Sequence, residues 1–216
     1  MNKLIGFALP VISITMLIWI EQGLEIEYMW KTVAKVIFFL IIPLILFKKV
    51  GFPFLKLRQT DKKSMNIAIG SGLTITGIII GAFVILLPFI DIDALLIDLA
   101  DAGITPTVFP FVALYILFGN SLLEEFFFRG LLPNFFVKSH LRLFLPSFFF
   151  AIYHIAIFLP WFSPALLVLA VTGLWIGGII FQLANERSRT ILPSWTIHMF
   201  ADVGVLLIGV YILYFY

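Results

Sequence analysis

The chain has 216 residues, 62% of them hydrophobic and 12% charged, and its mean hydropathy is +1.14. Soluble domains are about half apolar and about a quarter charged, so too little polar side chain is present here to coat a water-facing globule, and the composition defines an integral membrane protein. Zero cysteines exclude disulfides, thiolate metal ligands and a cysteine nucleophile, and the net charge of +2 carries no nucleic-acid signal because the basic residues gather where membrane topology puts them.

Stretches free of Asp, Glu, Lys and Arg run over 4–20, 64–90, 102–123 and 143–185. A helical crossing uses ~20 residues, so the first three hold one span each. The fourth holds two, joined by the turn Leu159-Pro160-Trp161-Phe162-Ser163-Pro164. Residues 31–47 form a further span, with Lys31 and Lys35 at one end where their stems can snorkel to the headgroups. Residues 190–216, apolar apart from His198 and Asp202, form the last. The expectation is an all-α polytopic bundle of about seven spans in a single integral membrane domain, since the segments are too long and uniformly apolar for barrel strands. Lys3 and the apolar run after it resemble a secretion signal, but the run ends in Trp19-Ile20-Glu21-Gln22 without a small-residue cleavage site and reads as a retained first span.

Basic residues fall at Lys48, Lys49, Lys56, Arg58, Lys62 and Lys63, then at Lys138 and Arg142, then at Arg187 and Arg189. The positive-inside rule makes those loops cytoplasmic. The alternating loops carry Glu21, Glu25 and Glu27, then Asp91, Asp93, Asp98 and Asp101, which places the amino terminus on the cytoplasmic side of the cell membrane and Tyr216 outside. Within 91–101, Ile92, Leu95, Leu96 and Leu99 recur at helical intervals opposite the aspartates, the pattern of a short amphipathic helix lying on the outer face.

Six ionisable residues remain that loops do not explain: Glu124, Glu125, Arg129, His154, His198 and Asp202. A charge at the centre of a spanning helix costs ~2.5–3.5 kcal/mol even on insertion scales, so such groups face a bundle interior or a wet cavity. At 1.5 Å per residue, Glu124 lies ~26 Å from the outer end of its span, and His154 and His198 lie ~13–18 Å from the cytoplasmic side, so the three overlap in depth in the inner half of the membrane. Glu125 and Arg129 are i and i+4 and can neutralise one another, whereas Glu124 is rotated by about 100° and needs a partner from another helix. His198 and Asp202 share a face, as do Phe150 and His154, with the run Phe148 to Phe150 placed to seal around the histidine. The bland alternatives are a helix end surfacing at Glu124 to Arg129 before the breaker Gly130-Leu131-Leu132-Pro133-Asn134, a hydrogen-bonded core histidine, and an interhelical polar clamp at His198 and Asp202.

Glu-Glu-x-x-x-Arg at 124–129, Phe-x-x-x-His at 150–154 and His-x-x-x-Asp at 198–202, in this order on successive apolar helices, resemble the motifs of the CAAX protease and bacteriocin-processing (Abi) family of intramembrane endopeptidases, in its bacterial branch. The resemblance covers Phe109 to Asp202 and divides the chain into amino-terminal helices at 1–105 and a catalytic core at 106–216. It departs from many relatives in carrying Asp202 where they carry Asn. What it implies is hydrolysis of a peptide bond in a membrane-associated peptide or protein, with Glu124 activating water and His154 holding that water or donating to the leaving amine. His198 and Asp202 match the positions that face the scissile carbonyl, and Glu125 and Arg129 would be structural or substrate-positioning. No cofactor is favoured. Zinc, held by Glu124, His154, His198 and Asp202, is the rival, as the family has been described as metalloproteases. Two other classes stay open: a non-catalytic self-immunity or signalling protein, and a proton-coupled transporter, although no repeated halves are visible. The expected partners are the lipid bilayer and a membrane-embedded peptide, with no nucleic acid.

Overall fold

The computed structural model describes residues 3–24, 26–49, 51–137 and 140–216, so Glu25 and Lys138, read above as loop charges, lie outside the described residues. The helices in chain order are α1 (Lys3–Gly23), α2 (Tyr28–Phe47), α3 (Lys62–Phe89), α4 (Ile92–Asp101), α5 (Phe109–Phe135), α6 (Leu141–Phe158), α7 (Pro164–Ser188) and α8 (Leu192–Tyr214). All but α4 are long and apolar enough to cross a bilayer, and no strand occurs among the described residues. The protein is an all-helical, multi-pass membrane protein.

The largest departure from the charge pattern is α5. Its charge-free stretch is 102–123, but the helix begins at Phe109 and runs through Glu124, Glu125 and Arg129 to Phe135. Helix continues there because neighbouring helices, rather than water, surround those charges: Glu124, Glu125 and Arg129 are 1%, 0% and 3% exposed, so a helix end surfacing at this point does not describe them. Gly130 does not break the helix either. The ring of Phe54, from the loop before α3, packs directly against its Cα, and a side chain at 130 would occupy the same space. On either side of Glu124, at Tyr115–Asn120 and Glu125–Leu131, α5 winds in wide π turns, a local distortion that recurs at functional sites.

Beneath this segment lies an aromatic core. Phe39 of α2 stacks on Phe127 with ring centroids 4.5 Å apart and meets Phe128 and Tyr153 edge-on at 5.1 and 5.3 Å. Helix α8 is held from two sides. Asn185 of α7 donates to Ser194 Oγ at 2.8 Å and accepts from Ser194 N at 3.0 Å, and Trp195 Nε1 donates to Ser121 Oγ of α5 at 3.0 Å. Along its other face runs α3, where Thr76 Oγ1 donates to Phe200 O at 2.6 Å and the Phe200 ring lies over Gly72. At the start of α3, Asp61 caps the helix by accepting from Ser64 N at 3.0 Å.

Helix α4 has the expected two faces. Asp91 caps it through Ala94 N at 2.9 Å, Ile92 is buried, Leu99 packs on the cluster of Ile104, Phe109 and Val112, and Ile97 is exposed. Asp98 accepts from Trp161 Nε1 at 2.8 Å, which ties the α6–α7 turn to α4.

Candidate active site

Four helices converge on Glu124. Its Oε2 is 3.9 Å from His154 Nε2 in the last turns of α6 and 3.8 Å from His198 Nε2 in the second turn of α8. Asp202, one turn further along α8, places Oδ1 3.8 Å from the same His198 Nε2. The structure therefore brings Glu124, His154, His198 and Asp202 into one pocket. Glu124 Oε2 and Asp202 Oδ2 are buried without a hydrogen-bond partner among the described residues, so each keeps unused acceptor capacity.

The outer nitrogens of both imidazoles are committed. His154 Nδ1 lies 2.8 Å from Phe150 O, and His198 Nδ1 lies 2.9 Å from Glu125 Oε1. A carbonyl only accepts, and so does an ionised carboxylate, so Nδ1 carries the proton in each ring and Nε2 is the atom turned to Glu124. The family of contacts around Glu125 thus differs from the simple i, i+4 pair. Arg129 NH1 is 3.4 Å from Glu125 Oε1, but the guanidinium makes no hydrogen bond there and lies over the Phe150 ring at 3.8 Å and near the Phe181 ring at 5.1 Å. The i, i+4 ion pair therefore persists through the wide turn at Glu125–Leu131, but Arg129 shares Glu125 Oε1 with His198, which makes the shorter contact. Gly178 makes room for this arrangement: a Cβ there would sit 2.9 Å from Ser147 Cβ and 3.1 Å from Arg129 NH2.

Of the run Phe148 to Phe150, only Phe150 reaches the histidines, with ring centroids 4.5 Å from His154 and 5.7 Å from His198. Phe148 points outward and packs on Trp175, and Phe149 is buried elsewhere in the core. A run of three aromatics on a helix faces three directions, so one member at most can line a given pocket.

Two polar residues of the site escaped the sequence reading. Asn120 Nδ2 donates to Glu124 Oε1 at 2.9 Å, and Lys35 Nζ donates to Asn120 Oδ1 at 2.7 Å while lying 3.8 Å from Glu124 Oε1. Lys35 therefore does not snorkel to the headgroups. Lys31, one turn earlier, does sit at the helix end, paired with Glu21 at 2.9 Å. The available signal was the spacing of Asn120 and Glu124 at i and i+4, and a lysine two turns inside an apolar span.

Two ligands on a tetrahedral zinc, with bonds of ~2.0–2.1 Å, stand about 3.3 Å apart. The separations here are 3.8–3.9 Å, and among the described residues no three His, Asp or Glu side chains converge on a metal-sized point.

Fold and site together define a polytopic membrane protein with a buried centre of carboxylates and imidazoles. Residues 106–204 match the family model described as type II CAAX prenyl endopeptidase Rce1-like, and this segment contains every one of Glu124, Glu125, Arg129, His154, His198 and Asp202. The likeness of this segment is to CAAX prenyl endopeptidases. No curated protein and no solved structure matches the chain.

Proposed function

We propose that the chain is an intramembrane endopeptidase in which Glu124 activates a water molecule for attack on a peptide bond of a membrane-associated peptide. The observation that carries this reading is the placement of Glu124 Oε2, buried, free of hydrogen bonds and facing two imidazole Nε2 atoms at 3.9 and 3.8 Å. A water in that space can give one proton to Glu124 and be steered by His154 Nε2. Its oxygen adds to the scissile carbonyl carbon, and the carbonyl oxygen becomes an oxyanion. His198, flanked by Glu125 and Asp202, serves in this step as an imidazolium that keeps one proton at Nδ1 for Glu125 and presents a second at Nε2 to that oxyanion. Asp202 contributes by charging and orienting His198 or, when protonated, by donating directly. The proton taken by Glu124 passes to the leaving amine as the C–N bond breaks.

This route uses no metal, and the 3.8–3.9 Å donor separations favour it over a zinc-bound water. We place the amino terminus in the cytoplasm on the strength of the basic loops, and propose peptide pheromones or bacteriocin precursors as the substrate class. The test is cleavage of a membrane-peptide library by purified protein and by Glu124→Gln, with and without chelator. Cleavage reduced ~10²–10⁴-fold in Glu124→Gln and indifferent to chelator is expected. Retained cleavage in Glu124→Gln overturns the role of Glu124 and favours a scaffold, and loss on chelation restored by zinc overturns the metal-free route.

A further inference from the structure

Lys35 stands where an apolar helix gains nothing from a lysine. It is two turns inside α2, outside the matched segment, with its side chain only 13% exposed. A charge so placed persists only with partners. Its partners all belong to one carboxylate. Lys35 Nζ donates to Asn120 Oδ1 at 2.7 Å, which turns the Asn120 amide so that Nδ2 donates to Glu124 Oε1 at 2.9 Å, and the ammonium itself stands 3.8 Å from that same oxygen. Below it lies the Tyr153 ring, 5.3 Å from Nζ to centroid, which walls the ammonium off from the rest of the core.

The two oxygens of Glu124 are made unequal by this arrangement. Oε1 is held by an amide and a cation, while Oε2 has no hydrogen-bond partner and faces His154 and His198. Without the lysine, Asn120 could present either end of its amide and the carboxylate could turn either oxygen to the histidines. The two basic side chains also divide between the paired carboxylates: Arg129 stands by Glu125 and Lys35 by Glu124. We infer that Lys35 and Asn120 form a positioning clamp that fixes the Glu124 carboxylate with Oε2 towards the reacting water, so that the amino-terminal helices supply a residue the hydrolytic centre needs. The inference rests on the reading of Glu124 as the base. Lys35 is a positioning residue, since it acts through Asn120 and Glu124 and not on the substrate.

The experiment uses the full chain in detergent or vesicles and has two readouts. In the first, kcat and KM are measured for wild type, Lys35→Met, Lys35→Arg, Asn120→Leu and Lys35→Ala with and without added methylammonium, alongside thermal stability of each. Lys35→Met and Asn120→Leu are expected to lower kcat roughly 10- to 100-fold with KM within about twofold, as misplacement of a catalytic group does. Lys35→Arg and methylammonium with Lys35→Ala are expected to recover most of it. In the second, the carboxylate stretches of Glu124 are isolated by infrared difference against Glu124→Gln in the wild-type and Lys35→Met backgrounds, and a shift between backgrounds is expected. Unchanged stretches overturn the clamp whether or not peptide is cleaved, and so does a Lys35→Met protein that loses stability but keeps wild-type kcat per folded molecule. Shifted stretches in a wild type that cleaves nothing uphold the clamp and defeat the protease reading on which its purpose rests.

Discussion

Helices α3 and α5 are almost the same length, 28 and 27 residues, and both are spans, yet about 6% of the most apolar window of α3 is buried against 50% of that of α5. Helix α3 touches the bundle through small residues, Gly72 and Thr76 against α8, and leaves Ile78, Val84 and Ile85 exposed. Helix α5 also begins outward, at Phe111, and then turns wholly inward from Leu123 to Pro133. Lipid tails are as good a home for isoleucine as a protein core is, so apolarity by itself buries nothing inside a membrane. Helix α5 is enclosed because Glu124, Glu125 and Arg129 need partners that lipid does not offer.

The contrast can be broken most forcefully at Glu125. Glu125→Ala removes the Nδ1 partner of His198 and leaves Arg129 without its carboxylate, so a stability loss of about 3–5 kcal/mol and poor yield are expected from unfolding in detergent. A variant as stable as wild type would mean that the aromatic faces of Phe150 and Phe181 suffice for Arg129. Next is the α3 seam, where Gly72→Leu overpacks Phe200 and should cost about 1–3 kcal/mol in thermal unfolding while the surviving folded molecules keep their activity. Asp202→Asn sharpens the site's side of the comparison: an amide can donate towards the pocket as a protonated acid does, so kcat within about tenfold of wild type is expected, and a drop to the level of Glu124→Gln would make the charge of Asp202 indispensable. At the lipid-facing extreme, Ile85→Ala should move stability by no more than about 0.5 kcal/mol.

The smallest effect concerns pH. Hydrogen bonds from Ser64 N and Ser64 Oγ, with Arg187 nearby, hold the Asp61 carboxyl down at about 2. A depressed carboxylate contributes its stability fully above the ordinary carboxylate range and loses it as pH falls through the depressed value. The gap in melting temperature between wild type and Asp61→Ala should therefore stay constant from pH 5 to pH 8, and a gap that varies across that window would count against the cap.

Much of this architecture was written in the charge pattern. The Leu159 to Pro164 turn, the apolar first helix and the two-faced helix at 92–101 all fall where apolar runs and breakers put them. The site was legible because three motif pairs could not be explained by loops, and the residues they named do meet. What helical spacing left out was the partner from another helix. Counting at 3.6 residues per turn paired Glu125 with Arg129, and that pair is present, but the count carried no sign that His198 of another helix shares the same Glu125 oxygen. Lys35 was read by position, as a lysine near a helix end, because no one-dimensional pattern tells which of two lysines a turn apart reaches water and which reaches a neighbouring helix.

Composition and the length of the apolar runs determined that this protein lives in a bilayer as a bundle of helices, because only helices and closed barrels satisfy a backbone in hydrocarbon and these runs are too long and uniform for barrel strands. It also determined which residues had to be sheltered, since a charge in hydrocarbon is costly wherever the helix stands. Only the tertiary structure decided who shelters whom: that Lys35 and Asn120 take one oxygen of Glu124 and leave the other to two histidines, and that Glu125 serves His198. Such choices depend on the rotation and close approach of whole helices, set by contacts as distant in sequence as Phe39 on Phe127 and Phe54 on Gly130, and spacing along a single helix carries no record of them.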